Sequence, residues 1–142
     1  MMLLGLEFPD HLHYAIEPQT WARVENDGTV TVGITALGVH LSGEIYFCRP
    51  KSVGQDIECG RSIAVVELAK SIVSVQSPVA GRVVAINERL AQAPEWVHTD
   101  PYGNGWLARL QPSDLAGDLT VLIHGEAVST AMREHARLHQ IE

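Results

Sequence analysis

The one side chain in this sequence that is both reactive and set among small neighbours is Lys70. It lies in the stretch Ser62-Ile-Ala-Val-Val-Glu-Leu-Ala-Lys-Ser-Ile-Val-Ser-Val-Gln-Ser-Pro78, with Glu67 three residues before it and Ala69 and Ser71 on either side. A primary amine can be acylated, which removes its positive charge, and small flanking residues let a large group approach. We read Lys70 as an exposed lysine that carries a covalently attached group. Other candidates offer less. Cys48 and Cys59 match no zinc spacing, and a disulfide between them is disfavoured in a reducing compartment. They read as inert small core residues, with a redox or sulfur-handling role as the alternative. His11 and His13 alternate with Leu12 and would share one side of an extended segment. Two histidines alone are a weak metal signal, and these read as solvent-exposed. No Ser/His/Asp order, phosphate loop or metal cluster stands out, so neither a catalytic site nor a bound metal is expected.

The elements that must position Lys70 follow from the pattern around it. Val, Ile and small residues on both sides read as strand, so the lysine falls at the tip of a hairpin, with its ammonium in water. Residues 1–18 read as irregular. Trp21–Val24 and Thr29–Thr35 read as strands joined by an Asn26-Asp-Gly28 turn, whose glycine supplies positive φ. Ala36–Ser42 is one helical turn or a loop, Gly43–Cys48 a strand, Gln55–Gly60 a turn-rich connection, and Gly81–Asn87 a strand. Residues 88–105, with Pro94, Pro101, Gly103 and Gly105, read as a long structured loop that Tyr102 and Trp106 pack down. Gly105–Leu110 returns as a strand. Ser113 and Asp114 are good N-cap types, and the spacing of Leu115, Leu119, Leu122 and Ile123 predicts a helix that stops at His124-Gly125. Glu126–Ile141 reads as a second helix, with Val128, Met132, Ala136 and Leu138 or His139 on its apolar side. The expected class is mainly β, two packed antiparallel sheets in one domain over residues 1–142, with C-terminal helices over about 113–141.

Composition narrows the function. The chain has 142 residues, 46% hydrophobic and 19% charged, which suits a globular protein with a real core. A formal net charge of -7 argues against nucleic acid, since phosphate binding needs clustered Lys and Arg. It suits docking onto other proteins. No apolar run approaches the roughly 20 residues needed to span a bilayer. The opening residues lack a basic segment and reach an acid at Glu7, unlike a signal peptide, so the cytoplasm is the expected location.

Taken in order, Glu67-x-x-Lys70, Ser77-Pro-Val-Ala-Gly81, Asn87-Glu88, Pro94-Glu95 and Asp100-Pro-Tyr-Gly-x-Gly-Trp106 resemble the glycine cleavage system H protein family. Trp21, Thr31–Thr35, Leu41-x-Gly-Glu44 and the terminal helices extend the resemblance over essentially the whole chain. The resemblance implies a barrel-sandwich hybrid with lipoate bound covalently as lipoyl-lysine at Lys70, and Glu67 helping a lipoate-attaching enzyme to recognise the hairpin. Biotin carriers share the architecture but flank their lysine with methionines; Ala69 and Ser71 speak against biotin. The resemblance also implies a carrier without catalysis of its own, working as a monomer that docks transiently.

The sequence departs from that family where cargo would be held. Family members place a Ser and a Glu before the first strand's Trp and an Asp four residues after the lysine, which help to hold a cationic aminomethyl group. Pro18, Thr20 and Ser74 stand here instead. A charge-assisted hydrogen bond contributes roughly 1.5–3 kcal/mol, so an amine is poorly held without an anion. His40 matches a histidine near the arm in some H proteins, and His40, Thr20 and Ser74 together mark an arm cleft. The usual acidic strand end is replaced by Cys48-Arg-Pro-Lys51, which changes charge sign and chemistry on an expected docking face. These departures are similar to H-like lipoate-binding proteins of sulfur oxidation. That resemblance implies sulfur as cargo, with a heterodisulfide-reductase-like complex and sulfur transferases as partners. This is the preferred reading from sequence. The alternative is a glycine cleavage H protein whose partners are glycine decarboxylase, aminomethyltransferase and dihydrolipoyl dehydrogenase. A third class is an unlipoylated β-sandwich interaction module.

Overall fold

The computed structural model describes residues 1–139. Its largest sheet has six antiparallel strands in the spatial order β3 (His13–Ala15), β4 (Thr20–Val24), β5 (Val30–Ile34), β11 (Ala108–Pro112), β10 (Gly81–Ile86) and β7 (Asp56–Ile57). A second sheet has three, in the order β6 (Phe47–Pro50), β8 (Ser62–Glu67) and β9 (Ile72–Gln76). The β4–β5 hairpin forms as its turn residues dictate: Gly28 takes φ 88°, and the Asp27 carboxylate accepts the Thr29 backbone N–H at 3.0 Å. The β8–β9 hairpin likewise falls where the lysine stretch predicts.

Two cores flank the large sheet. On one side Ala22, Val32 and Leu110 pack with Ala64, Val66 and Val75 of the second sheet. On the other, Trp21, Tyr14 and Phe8 pack with Leu37, Val128 and Met132. Neighbours in a strand point to opposite faces, so Trp21 serves one core and Ala22 the other. This double burial explains why β5 is buried along its whole length and reads as a continuous apolar run. Full burial of a large apolar side chain is worth roughly 1.5–3 kcal/mol, and Trp21, at 0% exposed, anchors the second core. Gly33 lies opposite Trp21; a Cβ there would stand 2.5 Å from the indole ring.

Several boundaries differ from expectation. Residues 1–18 are not irregular throughout: β1 (Met2–Leu3) and β2 (Leu6–Glu7) pair as a ribbon, and β3 joins the large sheet. Such short strands leave no periodic signature. Ala36–Ser42 is the helix α1, begun by Thr35, whose Oγ1 accepts the Gly38 N–H at 2.9 Å. The strand expected from Gly43 begins at Phe47 instead. Gly43 takes φ 76°, and the Ile45 N–H donates to His98 Nε2 at 2.9 Å, outside any ladder. The loop 88–105 holds a 3-10 turn (Glu88–Ala91) and a short helix α2 (Trp96–Thr99). Its tail is tied by the Asp100 carboxylate, which accepts the Asn104 N–H at 2.8 Å, so the following strand starts at Ala108. α3 (Leu115–Val121) starts after Asp114, whose side chain accepts the Gly117 N–H. It ends before Leu122, which is extended at ψ 153°. α4 (Ala127–Leu138) buries Val128, Met132, His135 and Ala136. Leu138 is 61% exposed, and the end of the expected helix, at Ile141, lies outside the described residues.

Candidate functional site

β8 and β9 run antiparallel until Glu67 faces Ile72. Val66 and Val73 occupy the rung before, and Val66 belongs to the core. Only Leu68, Ala69, Lys70 and Ser71 remain to reverse the chain. The Leu68 N–H closes the reversal by donating to the Ser71 carbonyl at 2.8 Å, and Leu68 is half-buried against the core. Lys70 thus projects from a short turn with a pinned base. It is exposed, and its amine makes no hydrogen bond or ion pair with the other described residues. An amine so placed is free to be acylated, and small Ala69 and Ser71 leave room around it. A lipoyl group on Lys70 fits this geometry.

The tip is braced on one side. Tyr46 donates its N–H to the Glu67 carbonyl at 2.9 Å, in line with β6. The Glu67 side chain stays exposed on the outer face of the hairpin. Two outer rows cross the three strands: Phe47, Glu67 and Ile72, then Arg49, Val65 and Ser74. Ser74 is therefore an exposed residue on the same face as Glu67. Thr20 is in β4, 1% exposed, and its hydroxyl has no hydrogen-bond partner among the described residues. His40 is exposed near the end of α1. It borders a cavity of about 440 Å³ with Val39, Gly43, Glu44, Glu95 and His98. Ser74 and Thr20 do not line that cavity.

Both cysteines are free. Cys48 is the core residue expected, and burial pushes its thiol up to about 12. Cys59 is not in the core: it is exposed at a groove that it shares with Pro18, Gln76 and Ile123. Its thiol is also raised, by partial burial first and then by the nearby Asp118 carboxylate. Neither is a ready thiolate at neutral pH. His11 and His13 do not behave alike. His11 is exposed, whereas His13 is half-buried with its ring stacked on His124, centroids 4.2 Å apart. Among the described residues no group of three or more His, Cys, Asp or Glu is placed to hold a metal. Among the described residues no helix is long and apolar enough to cross a membrane.

Arg49, expected within Cys48-Arg-Pro-Lys51, faces outward, its guanidinium 5.2 Å from the Phe47 ring centroid. One side chain near the site escaped the sequence reading. His98 anchors the Gly43–Tyr46 segment through Ile45, a pairing that local sequence could not announce.

The family model described as Glycine cleavage H-protein matches residues 12–135. The chain is 39% identical over 131 residues to glycine cleavage system H protein 2 of Aquifex aeolicus, covering 92% of this chain and 81% of that protein. It is 42% identical over 109 residues to the glycine cleavage system H protein of Saccharophagus degradans, covering 77% and 83%. The crystal structure of a glycine cleavage system H protein from Mycobacterium marinum superposes with a TM-score of 0.74 at 27% identity, over 94% of this chain and all of that one. The packed sheets and terminal helices are thus the barrel-sandwich fold of those proteins. With the match running from Leu12 to His135 and the hairpin intact within it, this chain belongs to the glycine cleavage H-protein family.

Proposed function

We propose that this chain serves as the lipoyl carrier of glycine cleavage in the cytoplasm. It accepts an aminomethyl group from glycine decarboxylase, yields it to aminomethyltransferase and is reoxidised by dihydrolipoyl dehydrogenase, with Lys70 as the point of lipoate attachment. Members of this family are carriers that hold lipoate covalently on a lysine. Lys51 and Lys70 are the only lysines of the chain. The observation that carries the reading is the difference between them: Lys70 tops an exposed turn, whereas Lys51 is half-buried and its backbone N–H donates to Ile63 in the ladder.

The bound group supplies a dithiol that can be loaded, unloaded and reoxidised. The chain's own residues present it. The Leu68–Ser71 bond and the buried Val66 hold the attachment point still, and Glu67 offers the attaching enzyme an exposed carboxylate at the base of the turn. Of the three residues read as an arm cleft, His40 borders a cavity open to a returning arm, while Ser74 and Thr20 lie away from it. The test is intact mass after incubation with a lipoate ligase, then with glycine decarboxylase and glycine. Stepwise lipoyl and aminomethyl adducts on Lys70 are expected. A chain that takes lipoate but never the aminomethyl group overturns the cargo assignment, and one that never takes lipoate is left as an interaction module.

Sulfur as cargo stands as the second reading. It rests on Thr20 and Ser74, which are uncharged where an amine would need an anion. The glycine cleavage names of the relatives put the aminomethyl reading first. Loading of the reduced lipoyl protein by a sulfur transferase, and unloading by a heterodisulfide-reductase-like complex, would reverse that order.

A further inference from the structure

β6 is an outer strand of the hairpin sheet, and its side chains alternate. Cys48 is buried, while Phe47 and Arg49 face outward with Glu67, Ile72 and Ser74. Lys51 continues the alternation, since its N–H still bonds to Ile63 at 2.8 Å. The outer face therefore grades along the hairpin. Beside the tip it exposes Tyr46 at 56% and Ile72 at 68%, with the exposed Glu67 carboxylate between Phe47 and Ile72. Behind the tip it carries Arg49 and Lys51. Arg23, Arg61, Arg82 and Arg137 each sit beside an acid, but Arg49 and Lys51 have no ion pair among the described residues. Two cations without an ion pair thus share this face with one carboxylate, Glu67, in a chain of net charge -7. Behind the tip a partner meets positive charge, although the molecule as a whole is negative.

We propose that this outer face docks the enzyme into which Lys70 reaches, and that the enzyme's contact surface is acidic. Its carboxylates would meet Arg49 and Lys51 around an apolar contact with Tyr46 and Ile72. The inference rests on the carrier reading and adds the chemistry of the partner. Complementary charge of this kind sets the orientation and rate of encounter more than final affinity. With Arg49 and Lys51 behind the tip, an acidic patch on the enzyme turns the hairpin so that Lys70 enters first. A polyanion such as nucleic acid is a poorer occupant, because two cations on an acidic chain neutralise too few phosphates.

The test uses the full chain and glycine decarboxylase from the same organism, immobilised for association kinetics. Wild-type association is expected to slow as salt rises. The charge reversal R49E/K51E is expected to associate at least about tenfold more slowly, and R133E, on α4, at the wild-type rate. Zero-length carbodiimide coupling is expected to join Lys51 to a carboxylate of the enzyme. R49A/K51A and this cross-link decide the matter if the reversal fails to fold by circular dichroism. Unchanged or faster association of the reversed variant, an equal loss in R133E, or no wild-type association at all overturns the proposal. If Lys70 cannot be lipoylated, the carrier reading falls and this inference with it. If Lys70 is lipoylated and the charge variants associate normally, only this inference falls.

Discussion

Leu68 donates its backbone N–H to the carbonyl of Ser71 at 2.8 Å, and that one bond closes the turn on which Lys70 stands. Leu68 is also half-buried against the core, so the turn is fixed from below. Lys70→Arg is expected to abolish the lipoyl adduct by intact mass and leave Tm within about 2 °C, because exposed substitutions usually stay within about 0.5 kcal/mol. Leu68→Pro removes the donor and should slow attachment at an unchanged lysine, with a stability loss of about 1–3 kcal/mol. Attachment at an unaltered rate in Leu68→Pro would show that the turn's geometry does not matter.

Gly33 and Trp21 are cross-strand partners, and the indole occupies the space a side chain at Gly33 would need. Gly33→Ala is expected to destabilise the fold by about 1–3 kcal/mol through overpacking. Urea unfolding followed by tryptophan fluorescence measures this directly. The ring's Nε1 also donates to the carbonyls of Ile34 and Pro101, both at 3.2 Å. Displacing it therefore disturbs the Asp100–Trp106 loop as well.

The stack of His13 on His124 makes stability depend on pH. Burial first, then the neighbouring His124, holds the His13 imidazole below its ordinary value near 6.5. Burial and His139 do the same for His135, against a smaller opposing pull from Glu17. The folded state thus prefers both rings neutral, and the unfolded chain binds more protons below about pH 6.5. Stability is full above that value and falls as the pH drops below it towards the lowered folded-state values. Chemical denaturation at a series of pH values should show this decline, and His13→Gln should flatten it. An unchanged slope in His13→Gln would remove His13 from the account.

The thiols should differ in access and agree in sluggishness. At pH 7.5 iodoacetamide is expected to label Cys59 more slowly than free cysteine, because its thiol is raised. Cys48, sealed in the core, should label only in denaturant. Mass spectrometry of the alkylated peptides separates the two. Fast labelling of Cys59 would reopen a redox role for the groove that it shares with Pro18.

What this sequence determined by itself is local. The β-branched runs on either side of Lys70, with small residues beside it, specify two strands and a tip, because alternation and turn chemistry depend only on near neighbours. The Asn26-Asp-Gly28 turn and the Asp114 cap were legible for the same reason. Tertiary structure decided whatever depends on which segments meet. Cys48 and Cys59 are alike in sequence, yet one is buried by the second sheet and the other left open. By local sequence His13 is an exposed partner of His11, but Tyr14 and Ile123 exchange backbone hydrogen bonds at 2.8 Å and bring His124 over its ring. Arg49 was legible as a cation, but only strand register set it in a row with Val65 and Ser74. Register is a property of paired strands, and no stretch of one strand contains it.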